Sequence, residues 1–297
     1  LNRGQHSLIP YFMVAGAAAL WGAIGLFVDK LYQTDFTSVD IVAFRVSVSA
    51  ILLWIYLKLI NPDLLKVSWR DAYLFFGTGV LSIVFFNWSY FTAMRETSLS
   101  VAVVLLYTGP TFVVIMSRIF FGERITKNKQ AALLFTLIGV VLVSELYPES
   151  GEISMYGLAV GVGAGFGYAL YSIFSKIALK KYRPLTILFY TFLVASLFIL
   201  PISDIATPEA AEKLMNPVNL VTVIGLAIFP TVLAYLLYTE GLKKIEAGKA
   251  SITAMTEPVA ATFIGIFMFG ETLSSLQIAG IVLVMLSVLL IQQKRLR

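Results

Sequence analysis

Ten apolar stretches, each of about 20 residues and so long enough to cross a bilayer, constrain this chain more than any other feature. They run near 9–31, 38–60, 72–93, 97–121, 127–145, 155–178, 184–202, 218–241, 248–269 and 274–292. The chain is 59% hydrophobic and 13% charged, against about 25% charged in an average soluble domain. That apolar surplus exceeds what one core can bury and must face lipid. Lipid offers backbone groups no partners, so each stretch predicts a helix. Most connections are short, which makes successive helices antiparallel neighbours. The longest gap, Ser203 to Pro217, predicts an exposed loop. The first stretch continues through Trp21 to Phe27. It is longer than a signal-peptide core and reads as a retained span.

Lys and Arg set the expected orientation. With the N-terminus inside, 18 of the 22 basic residues fall on the inner side. Only Lys30, Arg95 and Lys213 fall outside, and Arg45 lies within a span. The expectation is a multi-pass plasma-membrane protein with both termini cytoplasmic. Trp69, Tyr11, Tyr32, Tyr73 and Tyr147 fall near span ends, where amphipathic rings settle. The net charge of +5 therefore belongs to membrane topology and is not a nucleic-acid footprint.

Several function classes lack their residues. The chain has no cysteine, and its one histidine is His6, so no zinc cluster or Ser–His dyad is expected. Asp29, Asp35, Asp40, Asp63, Asp71 and Asp204 all fall at span ends or in loops, which argues against an intramembrane aspartyl protease. No Gly-x-x-x-x-Gly-Lys-Ser/Thr sequence marks a nucleotide site, and no filter-like loop or ring of charge marks a channel. No enzyme activity, cofactor or metal is expected.

The two halves repeat at a constant offset of 148: Tyr90/Tyr238, Ala102/Ala250, Pro110/Pro258, Phe121/Phe269, Gly122/Gly270 and Glu123/Glu271. Each half, 1–147 and 148–297, holds five spans. Five is odd, so the second half enters from the opposite side. Inverted repeats of this kind serve alternating access around a site near the midplane.

These residues resemble the drug/metabolite transporter superfamily, in particular its EamA-like group. The resemblance rests on Leu20-Trp21-Gly22, Phe44-Arg45, Pro110, Glu257-Pro258, and the endings Phe121-Gly122-Glu123 and Phe269-Gly270-Glu271. It covers essentially the whole chain. It implies an all-α integral membrane protein of ten transmembrane helices, arranged as two inverted five-helix repeats around a central cavity, and transport of a small solute. It implies no particular substrate.

Glu257 is the sharpest candidate for chemistry. An acid in mid-membrane should face a cavity, pair with a cation or be protonated. Pro258 beside it removes a backbone donor and kinks the helix. Proton coupling and recognition of a substrate ammonium are the functional readings; a kink whose carboxyl caps backbone or pairs with a base is the plain one. Arg45 can grip a carboxylate with its planar fork, but reads first as a structural charge anchoring neighbouring helices. Trp21, Asn87, Tyr90, Tyr107, Tyr168, Tyr171, Tyr235 and Tyr238 are the candidate substrate-binding wall. Asn87 and Tyr90 match Tyr235 and Tyr238 across the repeat, and Thr231 lies one turn before Tyr235 on the same face. Tyr107 matches Met255, and Trp21 has Phe166 or Tyr168 as counterpart. Each ring singly reads as packing; the recurrence in both halves favours a cavity wall.

Gly157, Gly161 and Gly165 form a doubled Gly-x-x-x-Gly, overlapped by Gly163 and Gly167, and Ala18 and Gly22 repeat the spacing in span one. Such stripes let backbones approach closely. Glu123 and Glu271 follow glycines at helix ends and read as structural, holding the hairpin between the fourth and fifth helix of each half. The expected function is secondary transport of a small organic metabolite, first of all efflux of amino acids or related compounds. Protons are a candidate coupling partner at Glu257, and the lipid bilayer is the surrounding phase. Uptake of a cationic solute such as choline is the alternative within transporters. A membrane receptor or channel is the alternative outside them.

Overall fold

A computed structural model describes residues 8–143, 154–269 and 272–292. His6, Tyr147, Gly270, Glu271 and the expected boundary between the halves at 147/148 lie outside the described residues. Among the described residues every regular element is helical. Nine helices are long and apolar enough to cross a membrane: Ile9–Tyr32, Ser38–Ile60, Trp69–Glu96, Val101–Phe121, Met155–Ala178, Pro184–Ile202, Pro217–Lys244, Ala247–Met268 and Ser275–Gln292. The expected fifth span is the 17-residue helix Lys127–Val143. It packs along Ser275–Gln292, and the ten are numbered as spans one to ten in chain order.

Local sequence sets where these helices begin and end. A capping box starts span two: Thr37 accepts from the Asp40 backbone N–H, and the Asp40 carboxylate accepts from that of Thr37, closing two orphan donors. Ser98, Ser154 and Asn216 cap later starts with their side chains. Span four ends on Gly122 in the left-handed conformation, φ 67°, which a residue without Cβ adopts freely. The bundle surface is studded with large apolar side chains, among them Phe12, Leu59, Ile119 and Phe267, each more than 70% exposed. A surface of that kind belongs in lipid. Trp69, Tyr73 and Tyr32 are exposed near span ends, as expected.

The halves interlock in a reciprocal pattern. Span one packs against spans eight and nine, and span six against three and four. The equivalent spans two and seven pair, as do five and ten. These pairs run antiparallel. At one end of the first pair Asp40 Oδ1 accepts from the Asp204 N–H at 2.8 Å, and at the other Leu64 O accepts from Thr186 Oγ1 at 2.8 Å. In the second pair Asn128 Nδ2 donates to Leu290 O, Thr136 Oγ1 to Ser287 Oγ, and Gly139 meets Gly280. Equivalent helices meeting head to tail are what inversion of the second half requires.

The glycine stripe of span six does the packing expected of it. A Cβ at Gly157 would strike Thr97 and Glu96, one at Gly161 would strike Leu105, and one at Gly165 would strike Thr108 and the Leu105 carbonyl. The gap from Ser203 to Pro217 is not simply loop, however. It holds the helix Pro208–Met215, capped by Thr207. Proline at its start, Glu209 in its first turn and Lys213 in its last favour the helix, and Ala210 is buried beside Phe36 and Leu31. Low hydropathy hid this element.

Candidate functional site

The spans that converge at mid-bundle are not continuous helices. Span four breaks between Leu99–Leu106 and Gly109–Phe121, and span nine breaks at the repeat-equivalent place, between Ala247–Ala254 and Glu257–Phe269. Span one breaks at Ala23. Gly22, just before that break, sits against the Glu257 carbonyl and the Ala261 backbone; a Cβ there would come within 2.9 Å of the former. Two breaks therefore meet back to back. Discontinuous helices near the midplane are where transporters expose backbone and helix ends to cargo.

Glu257 is the first residue of its half-helix. A carboxylate there complements the positive N-terminal end of the helix dipole. Pro258 does not kink a running helix, as the sequence suggests; it sits at the first turn of a new one, where a missing N–H costs nothing.

Spans three and eight carry a second irregularity. Gly77–Val84 and Ile228–Leu233 are wound as π-helix, and the two segments overlap at the repeat offset. In span eight Pro230 lies inside the wide turn and cannot donate an N–H. Thr231 Oγ1 takes up the Leu226 carbonyl at 2.7 Å, and Ser49 Oγ donates to the Ala227 carbonyl at 3.1 Å. Sequence reading missed these wide turns. Pro230 within an apolar run and Gly77-Thr78-Gly79 were the available signals.

Thr231 also fixes Arg45. Arg45 Nε donates to Thr231 Oγ1 at 2.8 Å, and the guanidinium lies 5.7 Å from the centre of the Tyr235 ring. This contact joins span two to span eight. It engages Nε of the guanidinium. A cavity of about 10 Å³ lies between Arg45, Asn87, Phe192 and Tyr235, room for about one water.

The candidate residues gather around this centre. Trp21 meets Tyr235 edge-on at 5.2 Å and Tyr238 at 5.3 Å; Tyr171 meets Tyr235 edge-on at 4.9 Å. Such edge-to-face contacts are favourable aromatic geometry. Asn87 donates to the Ile83 carbonyl at 2.7 Å. Tyr90 stacks on Phe86, which in turn meets Tyr168. Tyr107 and Met255, the repeat partners, share one apolar cluster with Tyr168 at its edge. Phe166 is different: it is 40% exposed on the outside of the bundle against Phe112. Of the two proposed counterparts of Trp21, Tyr168 is thus the one that faces the centre.

The set divides by accessibility. Glu257, Arg45, Tyr90, Tyr168 and Tyr235 are half-buried. Tyr171 and Tyr238 are buried, with their hydroxyls bonded to Thr239 at 2.8 Å and Ser172 at 2.6 Å. Trp21 Nε1 and the Tyr168 hydroxyl are two of seven buried side-chain polar atoms without a hydrogen-bond partner among the described residues. Among the described residues Glu257 forms no ion pair. An acid and a guanidinium thus share the centre without pairing.

One end of the bundle, which carries most of the Lys and Arg, is bound by charge. Lys129, only 3% exposed, pairs with Glu123 at 3.1 Å and with Glu246 at 2.8 Å. Glu123 also accepts from the Ala247 and Gly248 N–H groups at 2.7 and 3.3 Å. Glu123 was expected to hold its own hairpin; it reaches beyond that and ties the first half to the second. Lys176 Nζ donates to the Leu242 and Ile245 carbonyls, capping the end of span eight. Nearby, Asp71 bonds Lys181 at 2.7 Å and holds its ammonium above the ordinary lysine range. The repeat-equivalent residues at the opposite end are Gln277 for Lys129 and Ser98 for Glu246. Their side chains only cap local backbone.

Comparison with known proteins agrees with this architecture. The model of the EamA-like transporter family matches the chain twice, over residues 8–145 and 155–293. An uncharacterized transporter of Archaeoglobus fulgidus is 30% identical over 77% of this chain and 81% of its own length. The uncharacterized transporter YwfM of Bacillus subtilis is 27% identical over 93% and 90%. The threonine/homoserine exporter RhtA of Salmonella typhimurium is 24% identical over 71% and 68%. A solved crystal structure superposes with a TM-score of 0.75 over 95% of this chain and 96% of that one, at 16% identity; that likeness concerns the fold.

Proposed function

The chain belongs to the EamA-like transporter family, and from that premise we propose that it exports a small amino-acid-like zwitterion by alternating access. Membership makes it a multi-pass membrane transporter and not an enzyme; the cargo and its direction are our reading. The observation that supports the reading is that Arg45, against the Tyr235 ring, and Glu257, whose carbonyl abuts Gly22 beside Trp21, flank the same Trp21–Tyr235 pair with no ion pair among the described residues. A zwitterion supplies the missing partner to each, its carboxylate to the guanidinium fork and its ammonium to the acid. Trp21 Nε1 and the Tyr168 hydroxyl, without partners among the described residues, supply two further donors. Asn87, Tyr90, Tyr107, Tyr171, Tyr235 and Tyr238 form the rest of the wall. The name of the exporter RhtA points to the same substrate class.

In this reading the halves 1–147 and 148–297 rock about the centre, and the basic end faces the cytoplasm by the positive-inside rule, placing both termini there in the plasma membrane. Glu257 is the group through which a proton exchanges with cargo. A choline-like cation suits the rings through cation–π attraction, but the Tyr235 face already carries Arg45 at 5.7 Å, and a second cation there is repelled.

The test is counterflow in proteoliposomes with labelled threonine, homoserine, choline and a sugar phosphate. Exchange of the amino acids is expected. Exchange of choline with no amino-acid exchange would overturn the zwitterion reading.

A further inference from the structure

A second cavity, of about 500 Å³, opens at the basic end, well away from Glu257 and Arg45. Its size is that of a small-molecule site. Four cations line it: Arg124, Lys127, Lys129 and Lys249. One acid, Glu246, lines it with them, and Glu246 is already paired with Lys129. Glu123, the other nearby carboxylate, is spent on Lys129 and on two backbone N–H groups. Arg124, Lys127 and Lys249 form no ion pair among the described residues. Three cations thus converge on one concave space with no counter-charge of their own.

Backbone adds to the same field. The helix of span five begins at Lys127, with Thr126 accepting from the Lys129 N–H at its start. The first piece of span nine begins at Ala247, after Glu246. The N-terminus of span five therefore reaches the cavity, and such termini favour anions; the first N–H groups of the span-nine piece are already taken by Glu123. Asn128, whose amide donates to the Leu290 carbonyl, and the aliphatic Leu290 and Ile291 near the end of span ten complete the wall. Cations on one side and aliphatic side chains on the other suit a phosphate group attached to something less polar.

We propose that this cavity binds a phosphate-bearing anion, held by Arg124, Lys127 and Lys249, which bridges the two halves at the basic end. Arg124 and Lys127 belong to the first half and Lys249 to the second, so a bound phosphate relieves their mutual repulsion and joins the halves beside the Lys129 pairs. Two sources carry that chemistry: the headgroup of an anionic phospholipid, as basic pockets between spans can take, and a soluble phosphate.

The experiment is thermal unfolding of the purified full chain. One arm compares phosphatidylcholine nanodiscs with and without phosphatidylglycerol. The other compares inorganic phosphate with chloride at equal ionic strength. The wild type should gain roughly 2–4 °C in at least one arm, as a ligand that binds the folded state raises its midpoint. Lys127→Gln/Lys249→Gln should lose the gain. Lys243→Gln/Lys244→Gln, exposed residues outside the cavity, should keep it. A gain with phosphatidylglycerol alone assigns a lipid headgroup; a gain with phosphate assigns a soluble anion. No gain in either arm, or equal loss in both double variants, overturns the site. Size-exclusion profiles of the variants establish that each remains folded.

Discussion

At the scale of single residues, position in the sequence and position in the bundle carry different information. Glu257 was legible because an acid in an apolar run has few explanations. Lys129 was not. In the sequence it is one cation among many at its end, and its partners Glu123 and Glu246 stand far apart along the chain. Only the fold shows that it is buried between two carboxylates. Replacing it by Met leaves both acids without their cation, at a cost of about 3–5 kcal/mol. Glu246→Gln should cost about 1 kcal/mol or less, because that carboxylate is 45% exposed and exposed pairs contribute little. Chemical denaturation of the two variants measures the contrast; equal losses would mean that the pairs are not what holds this end. Glu257→Gln keeps the shape of the side chain and removes its charge. Counterflow should fall at least tenfold, roughly the scale of one charged hydrogen bond, with thermal stability retained. Undiminished counterflow would remove Glu257 from the site.

At the scale of elements, apolar run length located the spans to within a few residues. It did so because a bilayer imposes one length on every crossing. What it could not show was irregularity inside a span. A broken, π-wound or straight helix has the same hydropathy, and only Pro and Gly hint at the difference. Pro230 is the case in point. With Ala at that position the backbone N–H returns and the wide turn can close. Thr231 then moves off the Leu226 carbonyl and draws Arg45 away from Tyr235. Transport by Pro230→Ala should fall about tenfold, one unit on the 1.4 kcal/mol scale, while the protein stays folded. Transport at the wild-type rate would show that the π turn does not position Arg45. The contact between spans five and ten makes a simpler prediction. A Cβ at Gly280 would come within 2.6 Å of the Gly139 carbonyl, which is backbone and cannot yield. Gly280→Leu should therefore destabilise the fold by about 1–3 kcal/mol, read as a lower unfolding midpoint.

At the scale of the whole molecule, the constant offset of 148 announced two related halves, and the head-to-tail pairing of spans two with seven and five with ten gives that offset its spatial meaning. The sequence could not say which halves' surfaces touch, because reciprocal contacts such as span one on nine and span six on four join residues remote along the chain. Orientation in the membrane has a direct test, since the chain contains no cysteine and any introduced thiol stands alone. In intact cells an impermeant maleimide should label Glu209→Cys and spare Lys243→Cys. The opposite pattern would invert the proposed topology. Among the described residues, Gln277 and Ser98 carry no pairing of the Lys129 type, and that has its own consequence. A carrier with two identical ends would idle equally in both conformations. If the halves rock as proposed, the basic end must give up its Lys129 ion pairs to part, and a difference of about 2 kcal/mol already weights two conformations about thirtyfold. On the alternating-access reading, the empty carrier would then rest with its basic end shut, and the return of the unloaded carrier would set the pace of turnover.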